Sequence, residues 1–205
     1  MPATLRRVAA GKVILLHGTS SSGKTTIARA FQRRASEAWV RLGIDVFWNA
    51  VDARWMEFGP RADEGFRWVE RDDSVAIVSG PVGQLLAAAT RASVSVTARA
   101  GLSVIADDVL IDRAWLAEWA EALAGLETLF VGVHTPLDVL ERRERERGDR
   151  ILGEARGQHG VIHTGIAYDV EVNTAASDAD EGARIIERAL ATAPHPRALA
   201  RLRRD

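Results

Sequence analysis

The sequence contains no cysteine, and this absence excludes several kinds of chemistry at once. Disulfide bonds, thiolate nucleophiles and cysteine-based metal sites cannot form. Any catalysis must therefore depend on carboxylates, histidines, lysines, arginines and bound ions. Phosphoryl transfer is compatible with that restriction, because it needs no covalent protein intermediate.

Long apolar runs and a large net charge are also lacking. No apolar stretch approaches the length that crosses a bilayer, and the first residues lack the apolar segment of a secretory signal. The formal net charge is −1, which gives no indication of nucleic acid or an anionic membrane as a partner. We therefore expect a cytoplasmic protein with neither partner. The sequence leaves the oligomeric state open, a homodimer included.

The length and composition fit one globular domain. The chain has 205 residues, of which 47% are hydrophobic and 27% charged. That size supports one well-formed core with a small lid, whereas two independent domains would be cramped. We therefore predict a single domain over 1–205.

The most informative motif is a phosphate-binding loop that follows the apolar run 13–16. It matches the pattern G-x-x-x-x-G-K-[ST] at every fixed position and consists of Gly18, Thr19, Ser20, Ser21, Ser22, Gly23, Lys24 and Thr25. The glycines of such a loop let backbone N–H groups surround phosphates, Lys24 supplies a cation, and the Thr25 hydroxyl can ligate Mg²⁺. We therefore predict that this loop, together with Thr26, binds ATP and Mg²⁺.

Strand-like runs alternate with helix-like segments, which predicts an α/β fold with a parallel sheet flanked by helices. Further strands are predicted over 39–48, 102–108, 128–134 and 168–174. Helices are predicted after the loop, over 84–100 and 113–124, from Pro136, and after Asp178 as N-cap. The stretch 49–83 is predicted to be an insertion of short helices and loops that shapes a substrate pocket, and 143–166 to be a lid.

Carboxylates follow two of the predicted strands. Because such sheets bind ligands at the carboxyl ends of their strands, we expect Asp45, Asp107 and Asp108 in one cleft with the phosphate loop. Asp107 or Asp108 is predicted to hold the Mg²⁺ shell, and alternation along the strand suggests that only one of them faces the cleft. For Asp45 two interpretations stay open: a general base toward an acceptor hydroxyl, or a cap of the next helix.

A dense basic run lies in the predicted lid and contains Arg142, Arg143, Arg145, Arg147 and Arg150. Alternating charge is typical of a solvated helix face. A phosphoryl transition state, however, spreads negative charge over oxygens that arginines stabilise, so we predict that two or three of these side chains face the phosphates. The arginine-rich segment 197–204 is predicted to be a solvated helix end.

Other polar and aromatic side chains have less specific interpretations. His159 and His163 lack a nearby carboxylate pair, so they are interpreted as lid or substrate contacts rather than metal ligands. Four large apolar residues of the insertion either line a pocket or form local core: Trp48, Trp55, Met56 and Phe58.

These motifs together resemble the chloramphenicol phosphotransferase-like family, which consists of small P-loop kinases with an adenylate-kinase-like fold. The resemblance covers most of the chain, from about Val13 to Ile186. Besides the phosphate loop, it is carried by 42–45, 104–109, 143–150, 161–163, Gly165 and 168–174. The runs 147–150 and 168–174 are the more specific ones.

The resemblance implies ATP-dependent phosphorylation of a hydroxyl on chloramphenicol or a similar small molecule. It implies that Asp45 is the base, while Lys24, Arg143, Arg147 and Arg150 contact the phosphates. The segment after Asp45 has bulkier aromatic residues than the drug-modifying enzyme is expected to have, so the acceptor does not follow from the resemblance.

Two alternatives remain. The first is a nucleoside or nucleotide kinase in which Arg54, Arg61 and Arg67 grip a phosphate of the substrate. The second is a nucleotide-binding regulatory module without transfer activity.

Overall fold

The apolar runs of the sequence pair side by side as parallel strands. The computed structural model describes residues 9–148, 151–195 and 197–202. Its strands are β1 Val13–His17, β2 Trp39–Gly43, β3 Phe66–Arg71, β4 Ser74–Ser79, β5 Ser103–Asp108, β6 Thr128–His134 and β7 Val170–Asn173. Five of them form a parallel sheet in the order β2-β5-β1-β6-β7, and β3 and β4 form a separate antiparallel hairpin.

Helices connect the strands and cover both faces of the sheet. They are α1 Lys24–Arg34, α2 Ile44–Trp48, α3 Pro81–Arg99, α4 Arg113–Ala122, α5 Leu137–Arg147, α6 Glu154–Gln158, α7 Ala179–Thr192 and α8 Ala198–Arg201, with a 3₁₀ turn at Ala53–Trp55. Alternation along β1 directs Ile14 and Leu16 into a core with α1 and α7, and Val13 and Leu15 into a core with α3 and α4. The predicted α/β class with a sheet between two helical layers is confirmed.

Several predicted elements lie where the sequence pattern placed them. The strand after Leu126 has the predicted bounds, and the strand that ends at Asp108 is buried throughout. Asp178 caps α7, because its side chain accepts a hydrogen bond from the Glu181 backbone N–H at 2.7 Å. No helix in the described part of the chain is long and apolar enough to cross a membrane.

The segment 39–83 differs from the prediction in two ways. β2 ends at Gly43, so Asp45 lies in the first turn of α2 rather than at the tip of a strand. The insertion 49–83 contains the β3–β4 hairpin as well as short helical turns, so its prediction as helices and loops alone was wrong. The hairpin forms because Phe66 and Val75, on its two strands, are both buried against the rest of the protein.

The prediction of a solvated tail is wrong for residues 197–199, whereas 200–202 are exposed as predicted. Ala198 and Leu199 are buried in the core beside α4, and Arg197 is only 5% exposed. The Arg197 guanidinium donates to the backbone carbonyls of Ala189 and Leu190 near the end of α7. The chain therefore turns back after α7 and covers the sheet.

One carboxylate fixes this tail to the sheet. Asp169 accepts from the Phe130 N–H at 2.8 Å through one oxygen and from the Ala198 N–H at 2.6 Å through the other. It therefore links β6, the start of β7 and the tail.

We expect Asp169→Ala to lower the free energy of unfolding by about 2–3 kcal/mol, because the buried Phe130 N–H then lacks an acceptor. Chemical denaturation measures this change. Glu70→Ala, at an exposed position of the hairpin, is the control and should change stability by less than about 0.5 kcal/mol. Equal stability of the two variants would contradict the role assigned to Asp169.

Candidate active site

The phosphate loop occupies the turn between β1 and α1. Gly23 has a φ of 94°, a left-handed conformation that favours glycine, and it directs the chain into α1. Lys24 Nζ donates to the carbonyls of Gly18 and Thr19 at 2.8 and 2.7 Å. Burial lowers the pKa of Lys24, and the charges of Asp107, Asp45, Asp108 and Glu154 oppose that shift. The loop thus places a buried cation where the predicted phosphates would bind.

Two serine hydroxyls of the loop are buried without a partner in the described part of the chain. Ser21 Oγ and Ser22 Oγ are buried, and neither has a hydrogen-bond partner among the residues that the structure describes. Buried hydroxyls normally have partners, so these two fit a ligand with several acceptor oxygens, as a polyphosphate has.

Alternation along β5 separates its two terminal carboxylates. Asp107 Oδ2 accepts from the Thr25 hydroxyl at 2.8 Å on the α1 side of the sheet. Asp108 faces the opposite side, where its carboxylate accepts from Trp119 Nε1 at 2.8 Å and from the Val109 N–H at 2.7 Å. Burial raises the pKa of Asp108. Asp107 is therefore the carboxylate that contacts the phosphate loop, through Thr25. Both carboxylates nevertheless line the phosphate cavity, so the prediction that only one of them faces the cleft is not borne out.

The neighbouring strand leaves room for Asp107. Gly43 pairs with it across β2 and β5, and a Cβ at position 43 would lie 2.2 Å from Asp107 Oδ1. Arg41, on the same strand, has Nη1 3.4 Å from that oxygen. A glycine at 43 is thus required for the observed position of the carboxylate.

Thr25 and Asp107 supply a hydroxyl and a carboxylate oxygen, the hard ligands that Mg²⁺ prefers. In the described ranges no group of three His, Asp or Glu side chains could hold a metal ion. Mg²⁺ in phosphoryl-transfer enzymes usually needs only one or two protein ligands beside water and phosphate oxygens. The two side chains therefore fit such an ion.

Two cavities meet beside the loop. The phosphate cavity, of about 490 Å³, is lined by loop residues 20–27, by Thr174 and by apolar side chains that include Ile44, Phe66 and Trp115. The insertion cavity, of about 1160 Å³, is lined by residues of the segment 49–60 together with residues from other elements, such as Arg29, Arg41 and Trp68. Six residues line both: Thr25, Thr26, Asp45, Trp48, Arg147 and Glu154.

The predicted base lies at this junction. Asp45 is half-buried, and its charge is one of those that act on Lys24. Gly43 is the N-cap of α2 and no side chain caps it, so Asp45 occupies the first turn and is not the cap residue. Its position is therefore compatible with contact to groups in both cavities.

The predicted arginines occupy different places. Arg143 lines the phosphate cavity and donates to Thr174 Oγ1 and to the Thr174 carbonyl, both at 2.9 Å. Arg147 lines both cavities, whereas Arg142 is exposed and lies 3.9 Å from Glu146. Arg150 lies outside the described residues.

The large apolar residues of the insertion have several roles. Trp48 and Met56 line the insertion cavity and also pack on the core, so they serve both predicted purposes. Trp55 lies beneath the Arg61 guanidinium, 3.8 Å from it. Phe58 lines the cavity but is 81% exposed. The walls nearest Asp45 are thus aromatic.

The arginines of the nucleotide-kinase alternative already have carboxylate partners in their own segment. Arg54 contacts Asp52 at 2.9 Å, and Arg61 contacts Glu64 at 2.7 Å. Arg67 contacts Asp63 at 2.7 Å. Of the three arginines, only Arg54 lines the insertion cavity.

A histidine cluster behind the loop was not predicted. The rings of His17 and His134 lie 5.1 and 4.0 Å from the ring of His163, and His163 Nδ1 lies 2.6 Å from the Tyr168 hydroxyl. The Leu110 N–H donates to His17 Nδ1, so His17 Nε2 carries the proton and donates to the Ile162 carbonyl at 3.0 Å. His163 is thus a lid contact, as predicted, while His159 is exposed.

Burial keeps two of these imidazoles neutral. It lowers the pKa of His17 to about 4. It also lowers the pKa of His163 to about 3, to which the charge of His134 contributes. His17 is the last residue of the apolar strand β1, and nothing in the sequence indicated that its ring would be buried among other aromatic rings.

The short helix α6 is held by a buried carboxylate. Glu144 of α5 is 2% exposed and accepts from the N–H groups of Gly153 and Ala155 at 2.8 and 2.9 Å. The Gly153 carbonyl accepts from the Val75 N–H at 3.0 Å, which joins α6 to the hairpin. The predicted lid is therefore packed between α5 and the insertion.

The sheet order, the phosphate loop and the paired Thr25 and Asp107 define a P-loop kinase fold. Solved structures with this fold are similar over most of the chain. The APS kinase of Mycobacterium tuberculosis in complex with AMPPNP and APS has a TM-score of 0.64 at 18% identity and covers 90% of this chain and 99% of its own. Shikimate kinase from Acinetobacter baumannii in complex with shikimate has a TM-score of 0.58 at 17% identity. The match covers 87% of this chain and 92% of the shikimate kinase.

The chain belongs to the chloramphenicol phosphotransferase-like family, whose model matches residues 11–191. A protein of Mycobacterium tuberculosis strain H37Rv with the name "Putative O-phosphotransferase" is 37% identical over 199 residues, which are 95% of this chain and 88% of that protein. The family predicted from the sequence motifs is confirmed.

The buried histidines generate a prediction about pH. The unfolded chain takes up a proton at His17 below pH 6.5, whereas the folded chain does so only near pH 4. The contribution of the neutral imidazole to the free energy of unfolding should therefore be fully present above about pH 6.5. Between pH 6.5 and 4 the free energy of unfolding should fall by up to about 1.4 kcal/mol per pH unit for each such group. Denaturation curves at pH 5, 6 and 7 measure this slope.

His17→Gln removes one titrating group and retains a side-chain N–H that can donate to the Ile162 carbonyl. We expect it to flatten the pH dependence between pH 5 and 7, even if stability at pH 7 falls. A slope equal to that of the unchanged protein would contradict the assignment.

Proposed function

We propose that the protein is an ATP-dependent O-phosphotransferase that phosphorylates a hydroxyl of a small molecule. The observation that carries this proposal is the junction of the two cavities at Asp45, beside the phosphate loop. A carboxylate between a nucleotide site and a second cavity can act on an acceptor that is held opposite the γ-phosphate.

The phosphate loop binds the nucleotide in this proposal. The backbone N–H groups of the loop, from Gly18 to Thr26, surround the phosphates, with Ser21 and Ser22 hydroxyls as further donors. Lys24 turns from the carbonyls it contacts toward the β- and γ-oxygens. Thr25 and Asp107 would hold Mg²⁺, which when bound neutralises phosphate charge.

Asp45 is the proposed base. It accepts the proton of the acceptor hydroxyl as that oxygen forms a bond to the γ-phosphorus. The bond from the γ-phosphorus to the bridging oxygen breaks, and ADP leaves with the electron pair. Arg147 and Arg143, which line the phosphate cavity, supply positive charge near the transferred group. For Arg150 this role stays a prediction from the sequence.

The insertion cavity supports a small organic acceptor. Trp48 and Trp68 line this cavity with their rings 5.7 Å apart, so its wall beside Asp45 is aromatic. The Trp48 ring also lies 4.8 Å from that of Phe66, which lines the phosphate cavity. Such walls bind an apolar part of a substrate, while a few polar groups orient its hydroxyl. The paired state of Arg54, Arg61 and Arg67 favours this interpretation over a phosphate-gripping nucleotide kinase.

The test is phosphate transfer from γ-labelled ATP to a panel of hydroxyl compounds that includes chloramphenicol and simple nucleosides. Transfer to one compound supports the proposal, and its identity defines the acceptor. Tight nucleotide binding with no transfer to any compound would favour the regulatory module instead.

We expect Asp45→Asn to reduce the rate of transfer by about 10²–10⁴-fold, because the amide cannot accept the proton, while ATP affinity stays nearly constant. Turnover and nucleotide titration measure the two effects. Asp63→Asn changes an exposed carboxylate of the insertion whose partner, Arg67, lines neither cavity, and it should leave transfer unchanged. Full transfer by Asp45→Asn would show that another group is the base.

Gly43→Ala tests the proposed Mg²⁺ ligand without touching the loop. The added methyl group would lie 2.2 Å from Asp107 Oδ1 and 2.7 Å from the Asp107 backbone oxygen, so Asp107 must move away from Thr25. We expect affinity for ADP with Mg²⁺ to fall about tenfold, or about 1.4 kcal/mol, in variant protein that circular dichroism shows to be folded. Affinity for ADP in the presence of a chelator should change little. Calorimetric titration measures both.

The matched control is Asp108→Asn, which removes the neighbouring carboxylate of the same cavity but no contact to Thr25; its one carboxamide oxygen can still accept from Trp119 or from the Val109 N–H. We expect it to retain the effect of Mg²⁺ on ADP binding. An equal loss in Gly43→Ala and Asp108→Asn would contradict the assignment of Asp107.

A further inference from the structure

A chain of hydrogen bonds connects the phosphate loop with the wall of the insertion cavity. The Ser20 N–H donates to Gln158 Oε1 at 2.6 Å, and Gln158 Nε2 donates to Glu154 Oε1 at 3.0 Å. The second oxygen of Glu154 accepts from Trp68 Nε1 at 3.1 Å. Three side chains from α6 and β3 thus connect a loop amide to an aromatic wall.

The direction of each bond in this chain is fixed by chemistry. A carboxylate oxygen only accepts, so the NH₂ group of Gln158 must face Glu154. The carbonyl oxygen of Gln158 therefore faces Ser20, whose N–H can only donate. If the Ser20 N–H or the Trp68 indole changes its partner, Gln158 or Glu154 respectively loses a hydrogen bond.

Burial makes these bonds difficult to replace with water. Gln158 and Glu154 are each 5% exposed. A buried polar group that loses its partner is costly, so the side chains respond by moving together rather than independently. Glu144 holds the start of α6 by two hydrogen bonds, which anchor the helix that carries both side chains.

The two ends of this series of hydrogen bonds lie in different cavities. Ser20 lines the phosphate cavity and Trp68 lines the insertion cavity, while Glu154 lines both. The indole of Trp68 also packs at 5.7 Å from Trp48, next to Asp45. The connection thus runs from the loop to the wall of the proposed acceptor site.

We propose that Gln158 and Glu154 are positioning residues that couple nucleotide binding to the shape of the acceptor site. The inference depends on the proposed function, since it requires a nucleotide on the loop. A phosphate oxygen is charged and accepts a hydrogen bond more strongly than a neutral carboxamide, so it competes with Gln158 for the Ser20 N–H. Gln158 then reorients, and Glu154 and the indole of Trp68 follow.

Coupling of this kind is reciprocal. If a bound nucleotide changes the position of Trp68, then a substitution of Trp68 must change the affinity for the nucleotide. This holds although the Trp68 side chain does not line the phosphate cavity. Coupling between two sites typically changes affinity by about 5–150-fold, so an effect of about fivefold is the minimum to expect.

The experiment follows the indole N–H signal of Trp68 in ¹H–¹⁵N spectra of the full chain, assigned with Trp68→Phe. The probe is AMPPNP with Mg²⁺. In the unchanged protein we expect the Trp68 signal to shift on titration. In Gln158→Ala the nucleotide should still bind, while the shift of Trp68 is lost.

Two controls separate coupling from general damage. His159→Ala changes the exposed residue next to Gln158 and should keep the shift. The signal of Trp39, which packs against Phe31 of α1, reports whether Gln158→Ala remains folded. As a second measurement, Trp68→Phe keeps an aromatic ring but removes the donor, and it should change the AMPPNP dissociation constant by about fivefold or more.

The outcomes are distinct. Binding of AMPPNP without a shift of Trp68, or an equal shift in Gln158→Ala, overturns the coupling and leaves the proposed function in place. An AMPPNP affinity that Trp68→Phe does not change overturns it as well. Failure of AMPPNP to bind to the unchanged protein would overturn both the coupling and the proposed function.

Discussion

Alternation along β5 decides which of two adjacent carboxylates meets the phosphate loop, and the rest of the site depends on this. Asp107 points toward Thr25 at the start of α1, whereas Asp108 points toward Trp119 of α4. Because side chains alternate with a period of two, a register shift of one residue would exchange the two carboxylates. Pairing with β1 on one side and β2 on the other fixes the register, and Gly43 leaves the space that Asp107 occupies.

The second half of the site is assembled from segments distant in sequence. The hairpin, α6 and α5 are joined by the Val75 N–H bond to the Gly153 carbonyl and by Arg156, which contacts both Asp73 and Glu141. These contacts connect the wall of the insertion cavity to the helix that carries Arg143 and Arg147. The phosphate loop itself is one continuous segment, while the walls of the insertion cavity are defined by tertiary packing. A kinase fold can thus keep its nucleotide site while the second cavity varies.

The sequence predicted what local patterns determine. The phosphate loop has a specific motif, and buried strands such as β6 are continuous apolar runs. The hairpin had a signal that charged residues obscured, since Phe66, Trp68, Val75 and Ile77 alternate around a two-residue turn. The contact of Ser20 with Gln158 spans 138 positions, and the environment of His17 depends on residues of the lid. No local pattern encodes such pairs, because they arise only when the sheet has brought the segments together.

The return of the chain after α7 has a consequence for the synthesis of the protein. Ala198 and Leu199 complete the core beside α4, and Asp169 joins the same segment to β6. The apolar surface that they cover belongs to elements made much earlier, so it stays open on the ribosome until residue 199 has emerged. Domains generally fold as units during synthesis, and exposed apolar surface makes incomplete ones prone to aggregate. Of the two cores, the one that contains α3 and α4 therefore closes only after the tail has followed β7, whereas the core between α1 and α7 does not depend on residues 198 and 199.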